Sequence, residues 1–379
     1  MSQLSNKGIK TNTRKTLLRQ NTSESDEYCS KFMTGKLPKL IAEKNSFRIG
    51  KKKYTIVKEL GFGSNGIVME AKDPKRRNVA VKFMFNDDYK VQRRELAMQY
   101  WLSCMLKEKP PLTGAALVPE LYIIAKYNKG KEIRHRFGVN GFDNVVPSCV
   151  VGVMEIVDSE LDKLLKSQSD ENNAPVVVQV LKDVATTLFH VNALSILPAF
   201  VHGDLHVQNI AYKEVDDRYQ FYILDLGFAE LRQQGEIVSA AEDYYTERKE
   251  SNGYRNVGSV GNDLCTLCFS MAGRFSYPIG GLPQLWKPIL DILKLKEDDD
   301  NLGPVIKEHF LNKESLFYLG CNEDDEFWPL KGEDGKSRSL WKVISWQGGD
   351  VDPDVGTIFE PGHFLATYIT SYESSCMIS

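Results

Sequence analysis

Three glycines set the strongest constraint on how this chain can fold. Gly61, Gly63 and Gly66 lie in "GFGSNGIV", between two short β-rich runs, "YTIVKEL" and "IVMEA". A G-x-G-x-x-G spacing that opens a helix would serve the pyrophosphate of a dinucleotide. Strand-forming residues on both sides predict a hairpin instead. Glycine there lets backbone amides approach a phosphate with no Cβ in the way. Phe62, Ser64, Asn65 and Val68 complete the candidate phosphate-covering loop.

The next β-rich run, "NVAVKFMF", adds two residues with a use beside a nucleotide. Ala80 is small enough to leave room for a flat base, and Lys82 would point toward the phosphates. Helical apolar spacing over 90–106 places Glu95 on the first helix, where it can pair with Lys82 and hold the ammonium in place. "SCVVGVMEIV" (148–157) reads as a buried strand, and helices are expected over about 159–167, 175–194, 261–273 and 283–295.

Further along, "HGDLHVQN" carries the chemistry. Phosphoryl transfer asks a protein for a group that orients the nucleophile and for ligands of the charge-neutralising metal. Asp204 suits the first task, because a carboxylate accepts a hydroxyl proton. Asn209 and Asp225 offer the hard oxygens that magnesium prefers. Asp225 follows an apolar strand directly in "YILDLGFAE", so its carboxylate should emerge at a strand end, beside Asp204.

Together these motifs resemble the protein kinase superfamily over roughly Tyr54 to Leu295. Gly61, Gly63, Gly66 and Val68 match its glycine-rich loop. Ala80 and Lys82 match its V-A-I-K strand, and Glu95 its helix C glutamate. His202, Asp204 and Asn209 match the catalytic loop, and Asp225 with Gly227 the D-F-G. Met154 looks like the gatekeeper, with Glu155 and Val157 in the linker whose backbone binds adenine. Asp263 stands where the family anchors the catalytic loop. Departures are Gly203 for the arginine before the catalytic aspartate, His206 for the lysine after it, and Leu226 for the phenylalanine of D-F-G.

The resemblance implies an α+β, bilobal fold, with an antiparallel β-sheet N-lobe and a mainly helical C-lobe. It implies ATP and magnesium as cofactors, and transfer to Ser or Thr hydroxyls of protein substrates. Similar mixtures occur in kinases of large DNA viruses and of intracellular pathogens. "HGDLH" is also similar to aminoglycoside and choline kinases, which act on small molecules, and a pseudokinase binding module is the remaining alternative. The expected organisation is a basic, disordered tail over 1–48, an N-lobe and linker over 49–157, a C-lobe over 158–319, and an extension over 320–379. Trp328, Trp341 and Trp346 suggest that this extension packs on the C-lobe.

Composition narrows the partners. A net charge of −3 over 379 residues gives no electrostatic case for nucleic acid. No contiguous apolar run approaches the ~18 residues of a membrane span. Cys265 and Cys268 sit in an apolar helical stretch and read as buried thiols, which fits a reducing, cytoplasmic setting, or a host cytoplasm or virion for a pathogen protein; the chain is expected to be a monomer. The last four residues, "CMIS", have the C-a-a-X form, making Cys376 a candidate for farnesylation and weak membrane association.

Overall fold

The computed structural model describes residues 36–63, 66–84, 89–111, 114–128, 148–193, 200–233, 236–239, 260–272, 282–293 and 357–370. Seven strands form one antiparallel sheet: β1 (Leu40–Glu43), β2 (Ser46–Ile49), β3 (Lys52–Gly63), β4 (Gly66–Lys72), β5 (Asn78–Met84), β6 (Leu121–Tyr127) and β7 (Cys149–Met154). Their order is β1-β2-β3-β4-β5-β7-β6. Period-two alternation sorts their side chains onto two faces. On β5, Val79, Val81 and Phe83 join Phe47, Tyr54 and Val151 in one cluster, while Ala80 and Met84 join Leu96 and Met154 in another.

The sheet curls until its first and last strands meet. Lys39 bridges Lys126, and Lys126 N donates to Pro38 O at 2.9 Å. Phe47 stacks on Tyr54 at 5.0 Å inside the curl. This differs from the expected tail over 1–48, because β1 and most of β2 lie within that range. Two four-residue strands around an Asn45 turn (φ 52°) are too short to register against a lysine-rich background. The rest of the tail, residues 1–35, lies outside the described residues.

Helix α1 (Tyr89–Glu108) crosses from the sheet to the remaining core. Its Leu96 packs beneath the sheet, whereas Ala97, Trp101, Leu102 and Met105 enter the largest apolar cluster. Lys107 in its last turn complements the helix dipole. After β8 (Ser159–Glu160) come α2 (Leu161–Ser167) and α3 (Asp170–Ala193). The start of α3 precedes Pro175, where a helix was expected to begin. Asn173 extends it backward, donating its N–H to Ser169 O at 3.0 Å and its side-chain amide to Leu165 O at 2.8 Å.

By length and composition the stretch Glu171–Ala193 could cross a membrane, but 56% of its most apolar window is buried inside the protein. Val177, Val180, Leu181, Val184 and Leu188 make it the central core helix. Around it lie β9 (Phe200–Val201), β10 (Ile210–Val215), β11 (Arg218–Ile223), β12 (Glu230–Gln233), β13 (Glu236–Ser239), α4 (Val260–Ala272) and α5 (Pro283–Leu293). These strands form two small sheets, β11-β10-β8 and β13-β12-β9. Cys265 and Cys268 are buried in α4, and burial raises the Cys268 thiol.

Part of the expected C-terminal extension is described. Helix α6 (Pro361–Phe364) and the π-turn Leu365–Thr370 bring Phe364, Tyr368 and Ile369 into the largest cluster, with Phe359 just before them. Tyr368 Oη donates to Asp291 Oδ2 of α5 at 2.7 Å. The three tryptophans of this region lie outside the described residues. The whole is a mixed α and β structure with a large antiparallel sheet, compatible with an α+β kinase-like fold.

Candidate active site

The glycine-rich segment lies on β3 and β4, with Gly61 opposite Val68 and Gly63 opposite Gly66. The flanking strands thus make the hairpin that the sequence predicts; Ser64 and Asn65 fall outside the described residues. Gly66 has a structural reason of its own. A Cβ there would come within 2.3 Å of Phe83 O on β5, so close strand packing demands glycine. Gly61 has open space where a Cβ would stand, and it lines a cavity.

That cavity, of about 540 Å³, brings together most of the residues singled out from sequence. Gly61, Gly66, Val68, Ala80, Lys82, Glu155, Val157, Asp204, Asn209 and Asp225 all line it. Glu95 and Asp263 stand behind. Phe62 pairs with Ile67 in the hairpin, and Gly63 with Gly66. Cys376 is outside the described residues.

Lys82 Nζ lies 2.6 Å from Glu95 Oε1 of α1 and 3.6 Å from Asp225 Oδ1. Burial opposes the ammonium charge, but the Asp225 and Glu95 carboxylates outweigh it and hold Lys82 above its usual range. Lys82 in turn holds the Asp225 carboxyl below its usual value. Burial raises Glu95 against the pull of Lys82. A cation shared between two carboxylates is thereby fixed in place.

The loop carrying Asp204 is fastened from several sides. Asp263, nearly fully buried on α4, accepts from His202 N at 2.7 Å and Gly203 N at 2.9 Å. Burial pushes its carboxyl up to about 7 against those two bonds. His202 is fully buried; its Nε2 donates to Leu224 O at 2.8 Å, and its Nδ1 accepts from Asp204 N at 3.2 Å. Burial lowers its pKa, so the imidazole is neutral and this tautomer is set. Val207 N donates to Ser270 Oγ of α4 at 3.0 Å.

Asn209 closes the loop. Its Nδ2 donates to Asp204 O at 2.8 Å, and its backbone O accepts from Leu224 N at 2.8 Å. Leu224 immediately precedes Asp225, so Asp204, Asn209 and Asp225 share one hydrogen-bonded frame. Since Nδ2 is engaged, Oδ1 is the Asn209 atom left for a ligand. Asp225 itself holds a left-handed backbone (φ 54°), which turns the chain sharply at the strand end.

Sequence reasoning missed several residues in or beside the cavity. Gln99 lies one turn beyond Glu95 and donates to Pro119 O at 3.0 Å and to Met154 Sδ at 3.4 Å. Its signal was a polar residue on the apolar face of a helix. His206, noted in the sequence only as a departure from the kinase pattern, also lines the cavity, its Nε2 3.6 Å from Asp204 Oδ2. Lys213 and Tyr222, which meet Glu155 from β10 and β11, left no signal, because only the strand register brings them there.

No family model matches the chain. Over 212 residues, 53% of its length, it is 25% identical to Probable serine/threonine-protein kinase fhkB of Dictyostelium discoideum. The chain covers 16% of that protein. The match gives a distant, kinase-like relationship and no support for a likeness to viral or pathogen kinases.

Proposed function

We propose that this chain is a protein kinase that binds ATP with magnesium and transfers the terminal phosphoryl group to Ser or Thr hydroxyls. The observation that carries the reading is the shared cation. Lys82, held by Glu95 and Asp225, lines one cavity together with Asp204 and Asn209. A volume of about 540 Å³ is within the usual range for small-ligand sites. The distant relative's description as a serine/threonine kinase points the same way.

Each residue then has a task. The β3–β4 hairpin covers the phosphates, and Ala80 with Val68 packs on the base. Lys82 binds phosphate oxygens without being free to move. Asn209 Oδ1 and the Asp225 carboxylate are hard oxygen donors on one cavity wall and fit magnesium, which when bound neutralises charge on the triphosphate. Asp204 orients the substrate hydroxyl and accepts its proton.

Asp204→Ala should lower transfer from labelled ATP to a mixed protein substrate by a factor of about 10²–10⁴, the range for one general base. Binding of ATP should change little. Undiminished transfer by the variant overturns the role of Asp204. Labelling of choline or an aminoglycoside rather than protein would move the reading to small-molecule substrates. ATP binding with no transfer to any acceptor would make the chain a pseudokinase.

A further inference from the structure

The segment Glu155–Asp158, between β7 and β8, forms one wall of the cavity. Its first side chain is the meeting point of three separate stretches of chain. Glu155 Oε1 takes a short ion pair from Lys213 Nζ and a hydrogen bond from Tyr222 Oη at 3.1 Å. Its Oε2 accepts from Glu120 N at 3.2 Å, while Glu155 N donates to Glu120 O at 2.8 Å. The Lys213 ammonium also lies 5.5 Å over the Tyr222 ring.

The other end of the segment is tied to the same hairpin. Asp158 N donates to Tyr212 O at 2.9 Å, and Asp158 Oδ2 accepts from Glu214 N at 2.9 Å. Between these ties, no partner among the described residues occupies the Glu155 carbonyl or the Val157 amide. Those are backbone groups that a base could use. On the far side, Pro119 is held by Gln99 of α1, the helix that carries Glu95. Lys213 and Tyr222 do not themselves line the cavity.

We propose that Lys213 and Tyr222 are positioning residues for adenine. Through the Glu155 carboxylate they hold the linker backbone in the one arrangement that accepts the base. The inference rests on the reading of the cavity as an ATP site. Its physical basis is preorganisation. A linker left loose must be ordered at the moment of binding, and that cost is subtracted from affinity. The Lys213 and Glu155 side chains are each about three-quarters buried, at 23% and 24% exposure. Their pair is therefore less screened than a surface one.

The test compares wild type with Tyr222→Phe, Lys213→Met and the double variant. Each is titrated with ATP and with inorganic triphosphate, which has no base, in competition with a fluorescent ATP analogue. Each single variant should bind ATP roughly three- to tenfold more weakly, the scale of one ordinary hydrogen bond. Triphosphate affinity should be unchanged. Because both partners share one oxygen, the double variant should lose less than the product of the single losses. Tyr222→Phe keeps the ring and its packing, so it tests the hydroxyl in a folded protein. Unchanged ATP affinity in every variant overturns the proposal, as does an equal loss for ATP and triphosphate. A wild type that binds no ATP overturns it together with the functional reading. The readout is binding, so an absence of phosphoryl transfer does not enter the comparison.

Discussion

At the scale of single residues, Gly203 explains a departure from the kinase pattern. Its φ is +79°, and a Cβ would come within 2.5 Å of Phe228 O, a backbone atom that cannot swing aside. Placing the arginine of the kinase pattern there by Gly203→Arg should therefore harm the protein. We expect a loss of about 1–3 kcal/mol, the scale of left-handed strain and overpacking, in denaturant unfolding. Two buried carboxyls give a pH dependence. Burial pushes Asp183 up to about 6 and Asp263 up to about 7, both above the ordinary 3.8 of an unfolded aspartate. The folded state thus binds protons that the unfolded state has released. The resulting stabilisation is complete below about pH 4 and is lost as pH rises through 6 to 7. Stability from these two groups should fall between about pH 4 and pH 7. Asp183→Asn should flatten the fall, since Gln179 Nε2, 3.4 Å from Asp183 Oδ2, keeps an acceptor. Melting temperatures at pH 4, 5, 6 and 7 check this; equal slopes in wild type and variant would refute it.

At the scale of elements, legibility followed length and chemistry. The β3–β4 hairpin was readable because glycines interrupt two strong β runs, and α1 because its apolar spacing persists for several turns. Asp204, Asn209 and Asp225 were readable as a set, since phosphoryl transfer restricts which side chains can serve. The β1–β2 hairpin was hidden by its four-residue strands, and the start of α3 by Pro175. The Glu155 contacts were hidden for a different reason: Lys213 and Tyr222 are 58 and 67 residues away in sequence. The segment ending in Thr370 could be assigned to the core only by its neighbours. Phe364 is fully buried there, 5.5 Å from the Tyr368 ring. Phe364→Ala should cost about 3–5 kcal/mol, as for other large-to-small core changes. Tyr368→Phe, which removes only the bond to Asp291, should cost about 1–2 kcal/mol. Urea unfolding of both variants would show whether this segment is as integral as its burial implies.

At the scale of the molecule, the curled sheet and the helical core are joined through α1, the 114–120 stretch and the Glu155 linker. Leu117 N and O both bond to β11, at Phe221 O and Ile223 N, each at 2.8 Å. Ala116 is held to α3 by its N on Asp183 O and its O on Thr187 Oγ1. Stability should therefore not divide cleanly between sheet and helices, and a single calorimetric transition is expected. The contact of β1 with β6 has a separate consequence, for behaviour in a crowded solution. A sheet with open margins can recruit a strand from another molecule and seed fibrils. Here the N-terminal hairpin covers one margin and Pro38 caps part of the other, in an arrangement paired within the chain itself. Removing the sequence through Gly50 would uncover both margins and the apolar residues around Phe83. Such a truncated protein should self-associate, with light scattering that grows with concentration while the full chain stays dispersed.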